Sequence, residues 1–143
     1  MWQQLFGLTN VIALIGWLLL LAGPRRALPL VRYGAVGMLC AIYAALFAGL
    51  TSGLLDPVRA PGVSARMTDY SVAGLRALFA SDGAIVVGWT HYLAFDLFVG
   101  AWIAEDADAR GTGRLAQVPA LVLTFFAGPI GLLLWFVQRR VSR

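Results

Sequence analysis

The sequence predicts an all-helical integral membrane protein: a bundle of four transmembrane helices with one short amphipathic helix lying in the interface. Three observations carry that expectation. The chain of 143 residues is 60% hydrophobic with only 13% charged residues, about half the charged fraction of an ordinary soluble domain. Its mean hydropathy is +0.80, which leaves apolar surface that only lipid can solvate. Three runs, Leu5–Ala22, Tyr33–Leu55 and Val118–Val137, contain no charge, and a fourth, Gly83–Ala104, is broken only by His91 and Asp96. Each is near the ~20 residues that cross a hydrocarbon core as helix.

The expected spans are residues 5–22, 33–53, 83–104 and 118–137, within a single membrane domain of residues 1–143. The first begins behind Met1-Trp2-Gln3-Gln4, which lacks the basic region of a secretory signal, so it reads as a retained helix. It stops at Gly23-Pro24, ahead of Arg25-Arg26. Asn10 lies inside it, where an amide bridging to another helix contributes about 0.6 kcal/mol. The second span carries Gly34, Gly37, Ala41, Ala44 and Ala48 at spacings of three or four. Small residues at that spacing let backbones approach in lipid, so this helix is expected inside the bundle.

Between the second and third spans, Asp56-Pro57 and Pro61-Gly62 mark turns. An interfacial helix is expected over about 64–80, capped by Ser64. Met67, Tyr70, Gly74 and Leu78 fall on one face and Arg66, Asp69 and Arg76 on the other. Asp82 is the expected cap of the third span. In the fourth, Pro129 within Gly128-Pro129-Ile130-Gly131 lacks an amide and crowds the preceding turn, so a kink is expected there.

All 11 basic residues are arginine, and the net charge is +4. The arginines cluster at helix ends as interface anchors, which removes the argument for nucleic acid. The absence of lysine excludes a retinal Schiff base. The single Cys40 allows neither an internal disulfide nor a thiolate cluster, and one histidine supplies too few ligands for a metal or haem centre. No cofactor is expected. If every span crosses, the arginines divide five against six between the two sides, and charge does not set the orientation.

An aspartate at the centre of a spanning helix costs about 2.5–3.5 kcal/mol on insertion scales, so Asp96 must face protein or water. Trp89, Tyr92 and Gly100 share its face. His91 lies about 140° around the helix, with Phe95, Phe98, Trp102 and Glu105. The two groups either satisfy different polar neighbours, among them Asn10, Thr124 and Tyr43, or border one cavity as a proton-handling pair. The run Glu105-Asp106-Ala107-Asp108 places carboxylates against the helix macrodipole. It reads as a solvated helix end, with Mg²⁺ and a diphosphate as the sharper alternative.

WTHYLAFDLFVGAWI (Trp89–Ile103), PALVLTFFAGPIGLLL (Pro119–Leu134) and LTNVIALIGWLLLLAGPRR (Leu8–Arg26) resemble the signature segments of the abscisic-acid-deficient-four-like family. These are small membrane proteins typified by the plant plastid protein required to form neoxanthin from violaxanthin. The resemblance implies a carotenoid or isoprenoid isomerase that opens an epoxide. His91 and Asp96 would carry the proton transfers, and Trp89, Tyr92, Phe95, Thr124 and Pro129 would bind an apolar, carotenoid-like substrate. The alternative is a non-catalytic pigment-binding protein or a scaffold subunit, working as a homo-oligomer or with a partner in a membrane complex. The expected location is a bacterial inner membrane, crossed several times.

Overall fold

Asp82 to Ala109 forms the helix around which everything else is arranged. A computed structural model describes residues 1–141, and within them the chain is helical, without strands. The elements are α1 (Trp2–Ala22), α2 (Val36–Thr51), α3 (Val72–Leu78), α4 (Asp82–Ala109) and α5 (Arg114–Val141). A 3-10 turn (Arg25–Ala27) and a wide π-type turn (Leu30–Ala35) lead from α1 into α2. Four stretches, Trp2–Ala22, Arg25–Thr51, Asp82–Ala109 and Arg114–Arg140, are long and apolar enough to cross a membrane. The chain is a multi-pass membrane protein of the expected fold class.

α4 packs against α1, α2 and α5, and its buried residues run along its whole length, from Gly83 to Ala107. Close approach to α1 depends on small residues. A Cβ on Gly100 would strike the Trp17 ring, and one on Gly16 would strike Leu97. Trp17, Leu20, Leu93, Leu97 and Ala101 fill the core beside these crossings. In lipid such shape matching, rather than expulsion of water, is what holds helices together. Asn10 makes the expected bridge: Trp89 Nε1 donates to its Oδ1 at 3.1 Å.

Three local expectations change. α2 is peripheral, not interior: it buries Val36, Leu39, Leu46 and Gly49, while Gly37, Ala41, Ala44 and Ala48 face outward. Branched side chains fill the seam instead, and they offer more apolar contact to α4 than the small stripe does. The interfacial helix shrinks to Val72–Leu78 and is capped by Ser71, whose Oγ accepts from Gly74 N at 3.0 Å. Asp69 Oδ1 accepts from Ser71 N at 3.0 Å, and such side-chain bonds compete with helix over residues 64–71. Ser81 rather than Asp82 caps α4, accepting from Ala84 N at 3.4 Å. The connecting segment is tied across that helix start by Gly83 N donating to Pro57 O at 3.0 Å.

The largest change is in α5. The kink expected at Pro129 is a full reversal at Ala127, whose φ of −153° and ψ of 66° leave the helix. A Cβ on Gly131 would strike Thr124 and the carbonyl of Ala120, which in one straight helix lie two and three turns away. Gln117 Nε2 donates to Asp108 Oδ1 at 3.4 Å, and Trp135 Nε1 donates to Asp106 Oδ2 at 2.9 Å. Both ends of α5 therefore reach the same end of α4. α5 is a helical hairpin, its arms pressed together at Thr124 and Gly131 and its tip at Ala127-Gly128. Pro129 removes the amide that would continue the ladder across the break.

Candidate functional site

The hairpin tip meets α4 at Asp96. Gly128 is packed so tightly there that a Cβ would coincide with the carboxyl group. Asp96 is 9% exposed, and its Oδ2 is buried with no hydrogen-bond partner among the described residues. Buried polar atoms are almost always paired, so an orphan carboxylate oxygen at a helix break calls for a function or a ligand. The Tyr92 phenol, one turn earlier, interacts with the carboxyl group, and its hydroxyl also lies 3.4 Å from Phe126 O as donor.

Tyr92 opens onto a groove of about 400 Å³ between α1, α4 and the first arm of α5, lined also by Asn10, Trp89, Leu93, Phe125 and Phe126. Its rings are ordered in sequence. Phe6 lies 5.7 Å from Trp89, Trp89 stacks on Tyr92 at 5.3 Å, and Phe125 meets Phe126 edge-on at 4.8 Å. An aromatic, mostly apolar wall with one amide and one phenol suits a flat apolar ligand.

His91 does not share this groove. It stacks on Phe95 at 4.5 Å and faces Tyr43 of α2 at 5.5 Å. It lines a separate cavity of about 370 Å³ under the connecting segment, with Phe47, Arg59, Met67 and Phe79. The structure thus places His91 and Asp96 on different faces of α4 rather than around one cavity, because five residues turn a helix by about 140° and both neighbouring seams are occupied. Of the expected ligand contacts, Trp89 and Tyr92 line the aromatic groove and Phe95 lies with His91. Thr124 is fully buried between the hairpin arms, where its hydroxyl donates to Ala120 O at 2.8 Å. Pro129 stands beside the tip. Both shape the hairpin and neither lines the groove.

The acidic run is not a freely solvated end. Glu105 pairs with Arg32 at 2.7 Å and Asp108 with Arg25 at 2.9 Å. Asp106 pairs with Arg110 at 3.0 Å and Arg139 at 3.7 Å. Arginines from the α1–α2 turn and from both sides of the hairpin offset the charge that opposes the macrodipole. With each carboxylate engaged, the Mg²⁺ alternative loses its ligands, and no three metal-ligating side chains cluster among the described residues. A straight crossing by α5 would put Arg139 at the opposite end of the bundle from Asp106, so local pattern in the sequence does not pair them. The Gly128-Pro129-Ile130-Gly131 run was the one available signal, and it marked a bend without its size.

No curated protein and no solved structure matches the chain. The family model described as ABA DEFICIENT 4-like matches residues 4–135, nearly the whole of it. The protein is therefore a member of the ABA4-like family.

Proposed function

We propose that this protein is a membrane isomerase of a carotenoid-like isoprenoid, which it holds in the aromatic groove and alters by proton transfer at Asp96. The observation that carries the reading is the buried Oδ2 of Asp96, unpaired among the described residues, beside Tyr92, a groove-lining residue. Converting an epoxide into an allenic alcohol is an isomerisation: oxygen gains a proton and carbon loses one. One carboxyl group can deliver the first proton and, once ionised, accept the second, with no net proton change. A dry site suits this work, because fixed dipoles replace water around the shifting charge. Tyr92 positions the carboxyl group and the ligand oxygen. Trp89, Phe125 and Phe126 hold the polyene.

His91 belongs to this proposal only through its own cavity. It lies on the α2 side of α4, so its contribution is to binding a distant part of a long ligand, and Phe95 shares that role.

The test is pigment analysis in a host that makes epoxycarotenoids, comparing the wild type with Asp96→Asn and His91→Ala at matched membrane levels. A new isomer made by the wild type, lost in Asp96→Asn and reduced in His91→Ala, is the expected result. A wild type that changes no pigment in such a host overturns the reading.

A second reading has its own observation. The outward stripe of Gly37, Ala41, Ala44 and Ala48 on α2 suits close packing with another helix, as a pigment-binding or scaffold subunit in a homo-oligomer or membrane complex requires. Pigment that co-purifies unchanged, together with a larger assembly that dissociates in Ala44→Leu, would favour it.

A further inference from the structure

The reversal at Ala127 moves charge as well as chain. Arg139 returns to the C-terminal end of α4, where its guanidinium lies over the rings of Trp102 and Phe136 at 5.7 and 5.9 Å. It shares the Asp106 carboxylate with Arg110. Arg110, Arg139 and Arg140, with Phe136, line a pocket of about 640 Å³. Two of these guanidinium groups share one carboxylate, and the third, Arg140, has no ion-pair partner among the described residues. The pocket holds an uncompensated positive charge next to apolar side chains, Leu133 and Val137, exposed along the returning arm.

Each arm of the hairpin is about thirteen residues, roughly 20 Å of helix, short of the ~30 Å hydrocarbon core. The arms can enter and return but not cross. Irregular backbone at such depth is tolerated where protein covers it, and Gly128 at the tip is buried against Asp96. Among the described residues, Arg25, Arg26, Arg32, Arg110, Arg114, Arg139 and Arg140 then share one membrane face, against Arg59, Arg66 and Arg76 on the other. Seven against three places the first face in the cytoplasm, whereas the same ten arginines would divide five against five if α5 crossed.

We propose that α5 is a re-entrant hairpin entering from the cytoplasmic face, and that its return builds, with Arg110, a site for the phosphate group of an anionic amphiphile. Guanidinium forks match phosphate oxygens in paired hydrogen bonds, and Phe136 and the returning arm offer a path for the apolar chain. A phospholipid of that leaflet and a prenyl diphosphate both present this chemistry. The site is independent of the aromatic groove and of Asp96, and stands or falls apart from them.

Two measurements test it. In a Cys40→Ser background, a cysteine appended after Arg143 is labelled on intact cells with a membrane-impermeant maleimide, beside reference cysteines at Leu54 and Gly113. The appended cysteine should behave as Gly113→Cys does and opposite to Leu54→Cys. Labelling from the Leu54 side means that α5 crosses, and overturns the proposal. Purified protein in uncharged detergent is then titrated with phosphatidylglycerol, phosphatidylcholine and geranylgeranyl diphosphate while indole fluorescence is followed, since Trp102 and Trp135 adjoin the site. At least one anionic ligand should bind roughly tenfold tighter than phosphatidylcholine, and Arg140→Gln should weaken it roughly fivefold. Arg140 makes no ion pair among the described residues, so this variant spares the contacts that hold the fold. Preference for phosphatidylglycerol assigns the site to membrane lipid, and preference for the diphosphate assigns it to a prenyl ligand. Equal binding of the neutral lipid, or unchanged binding by Arg140→Gln, overturns the site.

Discussion

Gly128 rests against the carboxyl group of Asp96, leaving no room for a side chain between the hairpin tip and the middle of α4. Gly128→Ala should therefore push the tip away from α4. Overpacked sites cost about 1–3 kcal/mol, and the loss is expected as a lower unfolding temperature in detergent. Under the proposed mechanism product formation should fall with it, because the carboxyl group loses its enclosure. An unchanged unfolding temperature would mean that the tip does not pack on Asp96.

Asp96→Asn should separate stability from activity. The amide keeps the shape of the carboxyl group and removes the cost of burying an ionisable group whose Oδ2 has no hydrogen-bond partner among the described residues. The variant is expected to be at least as stable as the wild type while losing product, the trade found where a site is built for chemistry. Thermal unfolding and pigment profiling on one preparation give both readouts. A clear loss of stability instead would assign Asp96 to helix packing.

Asp106 is the hub of the C-terminal end of α4, accepting from Arg110 at 3.0 Å and Trp135 at 2.9 Å. Asp106→Asn should weaken the bond to each and release Arg139. Partial exposure moderates the effect to about 1–3 kcal/mol. Proteolysis confined to the returning arm of α5 should become faster, since that arm is held to α4 by this carboxylate. Equal rates in both proteins would show that apolar packing alone holds it.

Outside the spans, hydrogen bonds from Ser71 hold the Asp69 carboxyl below its ordinary pKa. A depressed folded-state value means that the ionised form stabilises the turn above the unfolded-state pKa, and that this support is lost as pH falls through the folded-state value. Acidification should thus loosen the cap of α3 and leave the spans intact. Hydrogen exchange at the Gly74 amide, which donates to Ser71, should accelerate in acid relative to the intrinsic rate in the wild type, and much less so in Asp69→Asn.

The arrangement of helices was legible in the sequence where a local property decides it. Leu5–Ala22 and Gly83–Ala104 are apolar over membrane length, and in lipid a backbone must bond within its own segment, so helix follows from hydropathy alone. Asp96 stood out for the same reason, as a carboxyl group that hydrocarbon would not accept unsupported. Family membership, too, was written in contiguous motifs.

What only the tertiary structure decided concerns which surfaces meet. The stripe from Gly37 to Ala48 had the spacing of an interior face, yet Leu39 and Leu46 took the seam, because burial depends on the shape of α4 opposite. Pro129 marked a break, but whether a break bends a helix or reverses it depends on what the far arm finds to pack against. Here Thr124 accepts Gly131, and Asp106 accepts Trp135 and Arg139. That reversal sets Gly128 on Asp96 and brings Arg139 and Arg140 beside Arg110. These are contacts between residues far apart in the chain, and no local periodicity encodes them.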